Sequence, residues 1–188
     1  MSRPTIAEIN LLALKKNVKK LKKITRSKIY PVVKANAYGH GLKRVIETIN
    51  GYISGYCVAT FEESIELRRL TSKSVVCMEG PYNLEELKNL EKLNIDYVIH
   101  SNRQISLLAE IISSDLSGNN KIWLKIDTGM NRLGFKENEI LKAFTKIISF
   151  KKKIVLMSHF SSASANTKAK KQSNKQIKLF KKYESKLK

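Results

Sequence analysis

Apolar residues fall in six short continuous runs: Ile29 to Val33, Tyr56 to Ala59, Val75 to Met78, Tyr97 to Ile99, Ile122 to Ile126 and Ile154 to Met157. The runs do not alternate with polar residues. That is the pattern of strands buried on both faces of a parallel sheet. Between the runs the spacing changes to three and four. Leu11, Leu14, Val18 and Leu21 share one helical face with lysines opposite, and Ile105, Leu108 and Ile112 repeat that spacing. Ile140, Phe144 and Ile147 do the same, and Leu84, Leu87 and Leu90 form a shorter stripe behind Asn83, a suitable N-cap. Ser117-Gly118-Asn119-Asn120 reads as a loop.

Six strand-then-helix units make an α/β protein. Right-handed crossovers leave an open doubly wound sheet or a (β/α)8 barrel. No Gly-x-Gly-x-x-Gly follows any run, which disfavours the dinucleotide-binding sheet. Chemically useful residues cluster just after the strand ends: Lys34, Asn36 and Tyr38, then Lys125 to Arg132, then His159. A barrel builds its site at that face. A barrel needs eight units, and the chain stops near where a seventh strand should begin.

Composition adds exclusions. The chain has 188 residues, 42% of them hydrophobic, enough for one domain (1–188) with one core. No apolar run approaches the ~20 residues of a membrane helix. The first residues show no secretory h-region, so a cytoplasmic protein is expected. Cys57 and Cys77 sit singly in apolar runs, which predicts buried thiols and no disulfide, and there is no metal-ligand spacing. The net charge of +20 suggests a polyanion partner, but only seven of the 36 basic residues are arginine. Base-edge readout favours arginine, and the lysines spread over the polar faces of separate helices. A solvated surface is expected, with no nucleic-acid and no membrane partner.

The chemistry starts at Pro31-Val32-Val33-Lys34-Ala35-Asn36-Ala37-Tyr38-Gly39-His40-Gly41. A lysine ending a buried strand can lose its proton by desolvation and bond covalently to an aldehyde. The glycines after it open a loop toward the next helix, where a phosphate could meet backbone N–H groups. By itself, such a lysine is more often an ordinary snorkelling side chain.

Val33 to Gly41 resembles the attachment segment for pyridoxal 5′-phosphate (PLP) of alanine racemases, nearly letter for letter. Leu124 to Gly134 and Met157 to Ala163 resemble two further segments of that family, after its fifth and sixth barrel strands. Arg3-Pro4-Thr5-Ile6-Ala7-Glu8-Ile9-Asn10 is similar to the family's opening segment, and Gln176 and Phe180 fit the helix that follows the third. Ser164 stands where the family usually has Asp.

The resemblance implies roles. Lys34 would hold PLP and act as one of two bases. Tyr38 would contact the cofactor phosphate. Arg132 would bond the phenolic oxygen of PLP and help hold the substrate carboxylate, and His159 would lie beside the cofactor ring. Lys125 stands where many members carry a carbamylated lysine, whose negative charge can pair with arginine. The implied activity is interconversion of L-alanine and D-alanine, for peptidoglycan, by a homodimer with active sites shared between subunits. The resemblance covers about half of the family's usual length. Absent are the last two barrel strands and the C-terminal β-domain, which carries the second base, a tyrosine; Tyr183 reads as a helix residue. Three accounts follow: a racemase completed by further residues, a PLP-binding protein without racemase activity, or a truncated product without a stable fold.

Overall fold

The amphipathic stretches become helices with legible starts. Asn10 accepts from the Ala13 N–H, Asn83 from Glu86, Ser101 from Gln104 and Asn166 from Ala169. At Thr60 the cap is reciprocal: its hydroxyl accepts from the Glu63 N–H while the Glu63 carboxylate reaches back. Each cap satisfies a donor that a first helical turn leaves without a partner.

The computed structural model describes residues 4–111, 118–164 and 166–187. Arg3, Ile112 and Ser117, named above in the opening segment, one helical stripe and one loop, lie outside them. The chain divides into two units, Met1–Val76 and Cys77–Lys188. The first holds α1 (Leu11–Ile24), the short α2 (Lys34–Tyr38), α3 (Leu42–Ile49), a 3-10 turn (Asn50–Tyr52), β1 (Gly55–Val58) and α4 (Phe61–Leu70); β2 (Ser74–Cys77) falls at the division. The second holds α5 (Leu84–Lys92), β3 (Asp96–Ile99), α6 (Asn102–Glu110), β4 (Ile122–Lys125), α7 (Ile140–Ile148), β5 (Ile154–Met157) and α8 (Thr167–Lys186).

The strands form one sheet in the order β1-β2-β3-β4-β5. Strict chain order is what a barrel builds, whereas a doubly wound sheet reverses at a switch point. β3 pairs with β4, and β4 with β5, both parallel, with Leu124 opposite Ile99 and Leu156. Tyr97, Val98, Ile99, Ile122, Leu124 and Ile126 are fully buried, so these runs are core on both faces as their composition requires. β5 is half-exposed along its length.

Two expectations are corrected. Ile29 to Val33 is not a regular strand. It lies parallel to β1 through a single bridge, Val32 to Cys57. Val33 N–H donates to Cys57 O at 2.8 Å, and Cys57 N–H to Pro31 O at 2.9 Å. Pro31 has no N–H, so the ladder cannot continue through it. In α1, only Val18 of the predicted stripe is buried, and Leu21 is 53% exposed. The expected buried thiols are found: Cys57 and Cys77 are both buried, and neither is in a disulfide among the described residues.

A charged group is buried under β3. Lys152 Nζ donates to Glu91 Oε2 at 2.6 Å, to Gly118 O at 2.8 Å and to Asn120 Oδ1 at 2.5 Å. The other Glu91 oxygen accepts from the Tyr97 hydroxyl at 2.7 Å. Burial, then the Glu91 charge, push the Tyr97 phenol well above its usual pKa.

Candidate functional site

Lys34 heads a backbone feature that hydrophobic patterning does not show. Ala35, Asn36, Ala37 and Tyr38 all have φ between 50° and 54°, which makes α2 a left-handed turn of four non-glycine residues. L-residues avoid this region at a cost of roughly 1–2 kcal/mol each. The surroundings compensate in part. Ala35 N–H donates to Glu63 Oε1 at 2.6 Å, Leu42 N–H to Asn36 Oδ1 at 2.7 Å, and Gly39 N–H to Ala35 O at 3.0 Å. The His40 ring nitrogen Nδ1 lies 2.9 Å from Ala37 O. Gly39 and Gly41 continue at φ +79° and +87°, where only glycine avoids the penalty.

Glu63 holds this turn to the end of β1. Its second oxygen accepts from the Ala59 N–H at 2.8 Å, so one carboxylate ties the lysine turn to the β1–α4 junction. Lys34 is half-buried, and Tyr38 is 59% exposed.

In the second unit, Lys125 ends β4, Thr128 and Arg132 follow it, and His159 follows β5. Lys125 is the last residue of β4 and is buried. Its ammonium is held below its usual pKa, first by burial and then by the positive charge of Arg132; Asp127 opposes the shift. The loop carrying Arg132 winds around one carboxylate: Asp127 Oδ1 accepts from the N–H groups of Gly129, Met130 and Asn131, at 2.9, 3.1 and 3.0 Å. Phe135 closes the loop by donating to Lys125 O and accepting from the Asp127 N–H. Gly134, at φ +124°, is required there, because a Cβ would lie 2.7 Å from the Asp127 nitrogen. Arg132 itself is exposed, as is His159 just after β5. A cavity of about 360 Å³ opens beside His159, walled in part by Thr128, Ser158, Phe160 and Phe180. Tyr183 is buried in α8.

Thus Lys34 and Tyr38 share one strained turn in the first unit. Lys125, Arg132 and His159 lie at or just after adjacent parallel strand ends in the second. Within the first unit, Lys34 offers an amine of the kind that bonds to an aldehyde and Tyr38 a phenolic hydroxyl; within the second, Arg132 offers a guanidinium of the kind that pairs with an oxyanion.

A family model described as "Alanine racemase, N-terminal domain" matches residues 9–188. The chain belongs to the alanine racemase family. It is 38% identical over 169 residues to the alanine racemase of Erwinia tasmaniensis, covering 88% of this chain and 46% of that protein. It is 40% identical over 167 residues to that of Nitrosomonas eutropha, covering 87% and 45%. The alanine racemase structure from Acinetobacter baumannii superimposes with a TM-score of 0.83 at 32% identity, over 93% of this chain and 49% of that one. That from Bartonella henselae, described with covalently bound pyridoxal phosphate, shares the fold with a TM-score of 0.77 at 23% identity, over 93% and 51%. The chain therefore spans about half the length of the alanine racemases it matches.

The bonds made by two residues of this alanine racemase segment emerge only from the structure. Glu63 is visible in sequence as the acidic end of a Thr60-x-x-Glu63 capping box, which signals a helix start but not its bond to Ala35. Gln176 is legible as a helix residue, but not as a buried one. Among the described residues, no helix is long and apolar enough to cross a membrane.

Proposed function

We propose that this chain carries the PLP-binding half of a racemase that interconverts L-alanine and D-alanine, with Lys34 as the attachment residue and one of the two bases. The observation that carries the reading is the left-handed turn directly behind Lys34. Four non-glycine residues held at φ near +50° represent several kcal/mol of strain, and strain of this kind is kept where it serves a site.

When bound, PLP would supply the electron sink that makes the α-proton of an amino acid removable. The residues of this chain do the rest. Lys34 would take and return the proton on one face of the α-carbon through its amine. Tyr38 would donate its hydroxyl to the phosphate. Arg132 would donate its fork to the phenolic oxygen and to the substrate carboxylate. His159, beside the cavity at the end of β5, would border the cofactor ring. A buried Lys125 whose ammonium is destabilised can present its neutral amine to carbon dioxide. The N–C bond forms with loss of a proton, and the resulting anion would turn repulsion from Arg132 into attraction.

The opposite face needs a second base. No tyrosine of these 188 residues matches the family's second base by resemblance, and Tyr183 lies buried in α8. We place that base outside these 188 residues, in a homodimer that shares its sites, in the cytoplasm, supplying D-alanine for peptidoglycan. The test is to incubate L-alanine with the full-length protein and PLP in heavy water. Formation of D-alanine labelled with deuterium at the α-carbon supports the reading. Unexchanged L-alanine, with PLP bound, contradicts it.

A further inference from the structure

Buried residues of α8 recur every seven positions at Ala169, Gln176 and Tyr183, the inward stripe of a helix whose other faces are dense in lysine. The middle position is an amide where an apolar side chain would ordinarily sit, and it is only 1% exposed. A buried amide is costly unless its donors and acceptor are used. Here both ends are used. Gln176 Oε1 accepts from the Ser161 N–H at 3.0 Å and from the Ser161 hydroxyl at 3.1 Å. Gln176 Nε2 donates to the His159 carbonyl at 2.9 Å and to Thr128 Oγ1 at 3.1 Å.

The direction of these bonds is fixed. The Ser161 N–H can only donate and the His159 carbonyl can only accept, so the amide has one orientation. The chain continues beyond Thr128. The Ser158 hydroxyl donates to Ile126 O at 2.9 Å, so at 2.7 Å it is the Thr128 hydroxyl that donates to Ser158. One side chain thus fastens the backbone of His159 and Ser161 after β5 to the Thr128 loop after β4, the loop that leads to Arg132.

We propose that Gln176 is a positioning residue of the racemase site, setting the His159 backbone and the Thr128–Arg132 loop in register. This inference rests on the racemase reading and deepens it. Leucine could fill the volume but could not bond to either loop, and glutamate would set a carboxylate oxygen against the His159 carbonyl.

The test uses the full-length protein with PLP, the variants Gln176→Leu, Gln176→Glu and Thr128→Val, and the exposed Lys178→Ala as control. Thr128→Val cuts one branch of the network and spares the fold if Gln176→Leu does not. These 188 residues hold three histidines, His40, His100 and His159, and in the full-length protein each imidazole NMR signal is assigned by its loss in the matching His→Gln variant. The expected result is a shifted His159 signal, with His40 and His100 unmoved. Racemisation kcat should fall on the order of 10–100-fold with KM little changed, and borohydride should still fix PLP on Lys34. In Thr128→Val the same changes should be smaller, and Lys178→Ala should match the parent. Unmoved His159 and unchanged kcat in all variants, with only a lower melting temperature, would overturn the positioning role. Failure of PLP to attach to Lys34 in the unsubstituted protein would overturn the racemase reading, and this proposal with it.

Discussion

Glu63 Oε1 accepts a 2.6 Å hydrogen bond from the N–H of Ala35, the first residue of the left-handed turn behind Lys34. Its other oxygen accepts from Ala59, so the carboxylate must offer two acceptors at once. Glutamine offers one, and its NH2 would face a backbone donor. Glu63→Gln should therefore weaken the turn by about 1.5–3 kcal/mol, the range for bonds to a charged acceptor. Amide hydrogen exchange at Ala35 and Ala59 should quicken together. Protection unchanged at both would show that the turn holds itself.

The buried Lys152 and Glu91 pair predicts an asymmetry. Lys152→Met leaves Glu91 charged and without its cation in the core, a loss of about 3–5 kcal/mol in denaturant unfolding. Adding Glu91→Gln should recover a large part of that loss, because no buried charge remains. Additive losses in the double variant would contradict the charge account.

His100 is held below its usual pKa of 6.5, chiefly by burial, while Lys125 adds to the shift and its bond to Glu79 O opposes it. The fold favours the neutral ring, so the unfolded chain takes up the proton first as pH falls. The stabilisation is complete above about pH 6.5 and is lost as pH drops below it. Melting temperature should fall more steeply from pH 7 to 5 in the parent than in His100→Gln. Parallel curves would assign the acid sensitivity elsewhere.

The helices and most strands are legible in the sequence because burial imposes period and run length, as at Leu84, Leu87 and Leu90 or at Tyr97 to Ile99. The first run misleads because Pro31 is apolar yet cannot donate to a ladder. The left-handed turn is invisible to propensity, since Ala35, Asn36 and Ala37 are ordinary helix or loop residues. Its conformation depends on Glu63, 28 residues away. Gln176 is hidden for a similar reason: its bonds reach loops that only folding brings beside α8. The family segments marked Lys34, Arg132 and His159 without revealing what holds them.

Arg132→Lys keeps the charge but loses the planar fork. In the full-length enzyme it should cost roughly 2–4 kcal/mol of transition-state stabilisation, read as kcat/KM for alanine. The melting temperature should stay close to the parent value, since Arg132 is exposed and its loop is wound on Asp127. Unchanged kcat/KM would remove Arg132 from the site.

In the proposed site every other role depends on Lys34 holding the cofactor. The direct measurement is to add PLP, reduce with borohydride and map the labelled peptide by mass spectrometry. Label on Lys34, abolished in Lys34→Ala, is the predicted result. Label spread over other lysines with Lys34 unmodified would contradict it.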